Sequence, residues 1–164
     1  NCLTPSGMAS DDCSSWIPAP VHAGYLLDGG GSEPYLNTSY SFDISGSYVY
    51  IASAGSNAIE IVDISDPANS THVGALLDGE GGAYLAGPFG VRVSGSYAYI
   101  TSSGSTALEI VDISDPANPV HVGALLDGGG SAPYLTAPIF NITVGGYAYV
   151  TGQIYNYLEI IRLH

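Results

Sequence analysis

Apolar and polar residues alternate along this chain in short runs. Clear examples are Tyr97–Thr101 and Leu108–Ile113, in which tyrosine, isoleucine, valine and threonine suit a pleated, half-buried surface. Glycine, proline and aspartate clusters separate the runs and provide turns, as at Ser94-Gly95-Ser96. The same residues interrupt every stretch long enough for a helix. The pattern therefore predicts an all-β chain.

The pattern recurs three times along the chain. The stretch from His22 to Asp28 returns at His72–Asp78 and His121–Asp127, with a period of about 49 residues. Each period holds four strand candidates, so we expect three tandem four-stranded units. We assign residues 18–164 to one domain of three repeats, at about 18–69, 70–118 and 119–164. Residues 1–17 form a separate N-terminal segment.

The second repeat contains Leu108-Glu-Ile-Val-Asp-Ile-Ser-Asp-Pro116, which resembles the motif of the LVIVD-repeat family. The first copy has Ile59 in place of the leucine, and the third has Arg162 in place of the aspartate. The resemblance covers residues 18–164. It implies four-stranded β-propeller blades, found mostly in extracellular surface proteins of bacteria and archaea, without an assigned enzymatic activity. An Asp-Gly-rich loop makes the unit here longer than is usual in that family.

The number of predicted blades and strands does not match that of a closed propeller. The repeats begin with a strand candidate, His22–Leu27, and end with another, Leu158–Leu163, so the last unit is one strand short. Closed propellers typically need four to eight blades. The first strand could complete the last sheet within the chain, giving a compact three-fold module, or within a neighbouring copy. The chain could also be part of a longer propeller. The residues expected in strand exchange are Val21, His22, Tyr25, Leu26, Leu27, Leu158, Ile160 and Leu163.

Charge narrows the range of partners. The chain has two arginines, no lysine and 15 acidic residues, for a net charge of −13. Phosphate recognition needs clustered basic residues, so nucleic-acid binding is not expected. No apolar run is long enough to span a bilayer, so membrane insertion is not expected either. We interpret the first residue, Asn1, as the start of a processed product.

Two further features favour an extracellular location. Cys2 and Cys13 are the only cysteines, and we predict that they form a disulfide that closes a short N-terminal loop. Asn37, Asn69 and Asn141 each begin an Asn-x-Ser/Thr sequence and are candidate glycosylation sites. Together they predict a secreted or cell-surface glycoprotein.

No catalytic constellation stands out, so we do not expect an enzyme. The recurring histidines and the Ile-Ser-Asp-Pro aspartates are interpreted as structural, because repeats copy structural residues. Glu60, Glu109 and Glu159 alternate with apolar residues and are predicted to face solvent or to pair with one of the two arginines. No cofactor is expected. Asp78 and Glu80 are candidate calcium ligands, because they are the only neighbouring carboxylates in a glycine loop.

These features lead to two functional hypotheses. In the first, the chain is a secreted structural or interaction protein that assembles with itself by strand complementation into an extracellular fibre or surface lattice. Tyr155 and Tyr157 are then candidate interface aromatics. In the second, the chain is a compact three-fold carbohydrate-binding module, because aromatic rings can stack on sugars and the Tyr and Asp-Gly loops recur.

Overall fold

The computed structural model describes residues 20–31, 33–128, 134–154 and 156–163, together with the backbone of residues 2–3 and 9–10. Two very short strands lie near the N-terminus, and all the other strands fall in the repeats. The strands are β1 (Cys2–Leu3), β2 (Ala9–Ser10), β3 (Ser39–Ser45), β4 (Tyr48–Ser53), β5 (Ala58–Asp63), β6 (Thr71–Leu77), β7 (Pro88–Ser94), β8 (Tyr97–Ser102), β9 (Ala107–Asp112), β10 (Val120–Leu126), β11 (Pro138–Val144), β12 (Tyr147–Gly152) and β13 (Leu158–Arg162).

In the described residues, strands β3–β13 form three antiparallel sheets, and within each sheet every strand pairs with the next one along the chain. The first blade is β3–β6, the second is β7–β10 and the third is β11–β13. β1 pairs separately with β2. The all-β prediction is confirmed. The hydrogen-bonded blades are offset from the sequence repeats, because the His-Val-Gly-Ala-Leu-Leu run is the last strand of one blade, not the first of the next.

Tight glycine turns connect the first two strands of each blade. Gly46 and Gly95 have φ angles of 60° and 61°, a left-handed conformation that glycine adopts without steric cost. The fourth strand carries a bulge, which falls between His121 and Gly123 in the second blade. Bulges increase local twist, as stacked blades require. The structure thus repeats the same turn in all three blades and the same bulge in the two four-stranded blades.

The blades stack face to face, and the core lies between them. One face of the first blade packs on the second blade through an apolar cluster made of Tyr50, Ala52, Ile59, Ile61, Leu76, Val91, Ala98, Ile100, Val111 and Ile113. The opposite face of the second blade packs on the third through Tyr99, Leu108, Ala148 and Val150. Leu85 and Leu135, from the loops between blades, are fully buried in these two cores. Both faces of an inner blade are therefore buried.

An aspartate closes the loop that precedes each blade. The Oδ1 atom of Asp78 accepts the Leu85 N–H at 2.8 Å, and Asp28 and Asp127 accept the N–H groups of Leu36 and Leu135 in the same way. Each aspartate therefore stabilises the loop that leads into a blade. No helix in the described ranges is long and apolar enough to cross a membrane.

Candidate self-assembly site at the third blade

The third sheet ends at β13, where the other two blades continue to a fourth strand. Residues 20–27, which include the predicted first strand His22–Leu27, are not in this sheet or in any other. The compact module in which this segment completes the last sheet of its own chain is therefore not the arrangement that the structure has. β13 is left as an edge strand, and edge strands offer free N–H and C=O groups to another strand.

Residues 20–27 instead run along the first blade. A Cβ atom added to Gly24 would clash with the carbonyl oxygen of Pro67, in the turn between β5 and β6. Gly74, on β6, makes the equivalent approach to the turn of the second blade, with Pro116 O 2.5 Å from such a Cβ. Residues 20–27 therefore occupy the place that the fourth strand of a preceding blade would occupy.

A groove of about 650 Å³ lies between the second blade and β13. Its lining includes Leu108, Ile110, Gly123 and Ile160. The corresponding space between the first two blades is filled, since Gly74 contacts Pro116 and Ala117, whereas a Cβ on Gly123 would meet no atom within 4 Å. The groove is thus an interblade space that lacks a strand and its turn.

The outer face of the third blade carries exposed apolar side chains on both β11 and β13. Phe140, Ile142 and Val144 on β11 are 60%, 57% and 59% exposed, and Leu158 and Ile160 on β13 are 59% and 57% exposed. Isolated exposed apolar residues are ordinary, but a contiguous patch marks an interaction surface. This face is therefore the strongest candidate for a docking surface, and we call these five residues the third-blade face.

The register of β11 explains why this face is apolar. Phe140 pairs with Thr151 as Gly90 pairs with Thr101, so Phe140 is the counterpart of Gly90. The third-blade positions Phe140, Ile142 and Val144 thus correspond to Gly90, Arg92 and Ser94 of the second blade. The apolar alternation has shifted by one residue, which turns it outward. The sequence carries this signal only when β7 and β11 are aligned on Pro88 and Pro138.

The opposite end of the stack is also uncovered. Phe42 and Ile44 on β3 are mostly exposed, on the face of the first blade that points away from the second. Val91, the counterpart of Phe42 in the second blade, is fully buried against the first blade. Each end of the stack therefore exposes a blade face, and the equivalent faces are buried at the interfaces between blades.

Glutamate and histidine form a pair inside each complete blade. The Nδ1 atom of His72 lies 2.5 Å from Oε1 of Glu60, and His121 lies 2.5 Å from Glu109 in the same way. Oε2 of each glutamate accepts a backbone N–H, from Tyr35 at 3.1 Å in the first blade. Tyr84 donates the equivalent hydrogen bond to Glu109 at 3.0 Å.

Burial decides the electrostatics of these pairs. Glu60 and Glu109 are completely inaccessible to solvent, so the prediction that they face water is wrong. Desolvation raises the pKa of both carboxyls, and the hydrogen bond from histidine only partly opposes it. His72 also lies 3.2 Å from Glu33, at the rim of the first blade. The pairs are buried polar anchors that tie the fourth strand to the third.

The third blade and the N-terminal segment each hold one half of such a pair. Glu159 occupies the position of Glu60 and Glu109, but it is only half-buried. His22 begins the segment that copies β6 and is exposed. In the described part of the chain, neither has an oppositely charged partner within ion-pair distance. Glu159 and His22 lie at opposite ends of the repeat array.

The aspartates of the two Asp-Ile-Ser-Asp-Pro motifs hold turns. Asp63 and Asp112 accept the N–H groups of Ser65 and Ser114 at 2.7 and 2.8 Å, and these bonds lower the pKa of both carboxyls. Asp66 accepts the N–H of Ala68 and the side chain of Asn69. This geometry is that of Asx turns.

The two calcium candidates also bind backbone. Asp78 accepts the Leu85 N–H and Glu80 accepts the Leu77 N–H at 3.0 Å. No group of three or more potential metal ligands occurs among the residues that the structure describes.

The candidate glycosylation sites differ in accessibility. Asn37 and Asn69 are exposed. Asn141 is 4% exposed, and its Nδ2 donates to the Tyr99 carbonyl at 2.8 Å across the interface between the second and third blades. A glycan cannot occupy that interface in the folded chain, so the structure argues against Asn141 as a site.

Four other predicted residues lie near the ends of the chain. Tyr157 is half-buried, its hydroxyl donates to Thr136 O at 3.3 Å, and burial raises its pKa to about 12. Tyr155, Cys13 and the side chain of Cys2 lie outside the described residues.

Comparison with known proteins agrees with the sheet geometry. A family model described as the LVIVD repeat matches residues 38–78 and 89–127, which correspond closely to the first two blades. The chain carries two LVIVD repeats. The third blade, outside these matches, has the same strand order and register in its first three strands. A comparison with curated proteins found no match.

Solved structures resemble the blade stack. One is a functionally unknown protein from Desulfotomaculum acetoxidans DSM 771, with 15% identity and a TM-score of 0.56, covering 76% of this chain and 41% of that one. Another is Kuenenia stuttgartiensis hydrazine synthase, with 17% identity and a TM-score of 0.60, covering 84% of this chain and 36% of that one. The LVIVD chain thus spans well under half the length of either, and the likeness concerns the propeller-like fold alone.

Proposed function

We propose that this LVIVD-repeat chain is an extracellular structural or interaction protein that associates with itself head to tail. In this assembly, the third-blade face of one copy receives the first blade of the next. Residues 20–27 of the incoming copy lie along β13 as its missing fourth strand. Repetition of this contact gives a fibre or surface lattice, because a heterologous contact continues unless its rotation closes a ring.

The observation that carries the proposal is the apolar third-blade face. Its β11 residues are Phe140, Ile142 and Val144, where the covered second blade has glycine, arginine and serine. Removing about 25 cal/mol per Å² of apolar surface from water makes burial of such a face favourable. The occupant that fits is a second copy, since Phe42 and Ile44 present the face that stacks on a preceding blade.

Sedimentation velocity over a range of concentrations tests the proposal. The Ile142→Arg variant introduces the residue that the second blade has at this position, on a side chain that is already exposed, so folding is retained. We expect the wild type to form concentration-dependent oligomers and Ile142→Arg to remain monomeric. Ile154→Arg is the matched control, because Ile154 is equally exposed but lies in the turn between β12 and β13. A monomeric wild type at high concentration would overturn the proposal.

Glycan binding is a second candidate. It is favoured by Tyr84 and Tyr134, which follow the Asp-Gly loops of consecutive blades and are both exposed. Exposed tyrosine rings on one array could stack on successive sugars. A glycan array with wild type and a Tyr84→Ala, Tyr134→Ala double variant tests this candidate, which requires hits that the double variant loses.

A further inference from the structure

The buried glutamate–histidine pair is built in the same way in both complete blades. The histidine is the Cα partner of the residue two positions after the glutamate, as His121 is of Val111. Four atoms recur: histidine Nδ1, both glutamate oxygens and a backbone N–H from a tyrosine in the preceding loop. The pair is therefore a recurring feature of the contact between the third and fourth strands of a blade.

β13 carries the glutamate of such a pair, Glu159. Glu159 pairs with Val150 as Glu109 pairs with Ile100, so its side chain lies on the same blade face as that of Glu109. Tyr134 holds the loop position of Tyr84. No strand formed by the described residues lies in the groove beside β13 and brings a histidine to Glu159.

Residues 20–27 carry the histidine of such a pair, His22. His22 opens the run that ends at Asp28, and the same run places His72 and His121 against their glutamates. In this chain the segment lies along the first blade, at the opposite end of the array from Glu159. One chain thus holds both halves, and its own fold keeps them apart.

We propose that His22 of one copy and Glu159 of the next form this pair across the interface. The inference rests on the proposed self-association and names the residues that fix its register. Copying the register of β9 and β10 places His22 opposite Ile161, Tyr25 opposite Glu159 and Leu26 opposite Leu158. A shift of two residues would bury Glu159 without its histidine, and an unpaired buried charge is strongly unfavourable. The pair therefore selects one register.

A double-mutant cycle on the full chain tests the pair. Self-association constants are measured by sedimentation equilibrium for the wild type, His22→Ala, Glu159→Ala and the double variant. Each interface contains one copy of each residue, so the cycle reports their coupling directly. Both residues are accessible in the single chain, so its fold is retained, which thermal unfolding at monomeric concentration checks. We expect each single substitution to weaken association by roughly 30-fold or more.

The double variant decides the inference. We expect it to associate within about twofold of the weaker single variant, because coupled residues are not additive. If the wild type associates but the two effects multiply, or neither substitution weakens association, the pair is overturned and self-association stands. If the wild type does not associate at any concentration, the proposed function itself fails.

Discussion

A Cβ atom added to Gly74 would lie 2.5 Å from the carbonyl oxygen of Pro116, so the first blade's last strand and the second blade's turn are in close contact. The equivalent glycine of the second blade, Gly123, has open space around it. We therefore expect Gly74→Ala to destabilise the chain by about 1–3 kcal/mol, because the obstructing atoms are backbone. Gly123→Ala should be neutral or slightly stabilising, since glycine weakens a strand. Urea unfolding at monomeric concentration measures both, and equal effects would contradict this interpretation.

The buried carboxyls predict an unusual dependence of stability on pH. Burial raises the pKa of Glu109 above its usual 4.5, so the folded chain holds this proton more tightly than the unfolded chain does. The contribution of Glu109 to the free energy of unfolding is then full below pH 4.5 and is lost as the pH rises through the folded pKa. Relative to Glu109→Gln, the wild type should lose stability from about pH 4.5 upward.

Asp112 supplies a control of opposite sign for that experiment. The Ser114 N–H lowers its pKa below the usual 3.8, so its contribution is present above pH 3.8 and is lost as the pH falls through the folded pKa. Urea unfolding across pH 3–7 should therefore show opposite trends for Glu109→Gln and Asp112→Asn. A wild-type curve parallel to that of Glu109→Gln would contradict the burial effect.

Thr106 offers a stabilising substitution. It has a φ of 50°, a left-handed conformation that is unfavourable for a β-branched residue. Its counterpart Asn57 has a φ of 51° and accepts the Gly87 N–H at 2.9 Å, linking the first blade to the next loop. We expect Thr106→Asn to stabilise the chain by about 1 kcal/mol. The reverse change, Asn57→Thr, should destabilise by a similar amount, and a loss of stability in Thr106→Asn would refute the argument.

Ionic strength should affect self-association in a characteristic direction. Each copy carries a net charge of −13, so approaching copies repel one another. Salt screens this repulsion and leaves apolar burial intact. The association constant should therefore rise between 50 mM and 500 mM NaCl in sedimentation experiments. A constant that falls with salt would mean that ion pairs, not the third-blade face, dominate the contact.

Local sequence patterns were enough to predict the strands of the three blades and the blade repeat, but they also predicted a strand at His22–Leu27, which belongs to no sheet. Period-two alternation, glycine turns and the aspartate at each loop fixed the local geometry, and β8 and β9 fall where the alternation places them. The alternation predicted the wrong environment for Glu60 and Glu109. It assigns each residue to one face of a sheet but does not indicate what packs on that face. In a stack of blades both faces are buried, so a polar residue that alternates with apolar ones can lie in the core.

The candidate site was only partly predictable for a similar reason. The surplus segment and the short third sheet follow from counting strands. The outward turn of Phe140 follows from a one-residue shift in register, which depends on the pairing of β11 with β12. The pairing of His121 with Glu109 depends on contact between strands and on burial, and neither is encoded in local spacing.

Register-specific cross-linking most directly tests the claim that residues 20–27 complete the third blade of another copy. One chain carries Leu26→Cys and the other Leu158→Cys, both on a Cys2→Ser, Cys13→Ser background, and the oxidised mixture is analysed by mass spectrometry. The account predicts a disulfide between the two chains. It predicts none for the control pair Val21→Cys and Leu158→Cys, whose positions are out of register. A link that forms only when Leu26→Cys and Leu158→Cys share one chain, or no link at all, would contradict the account.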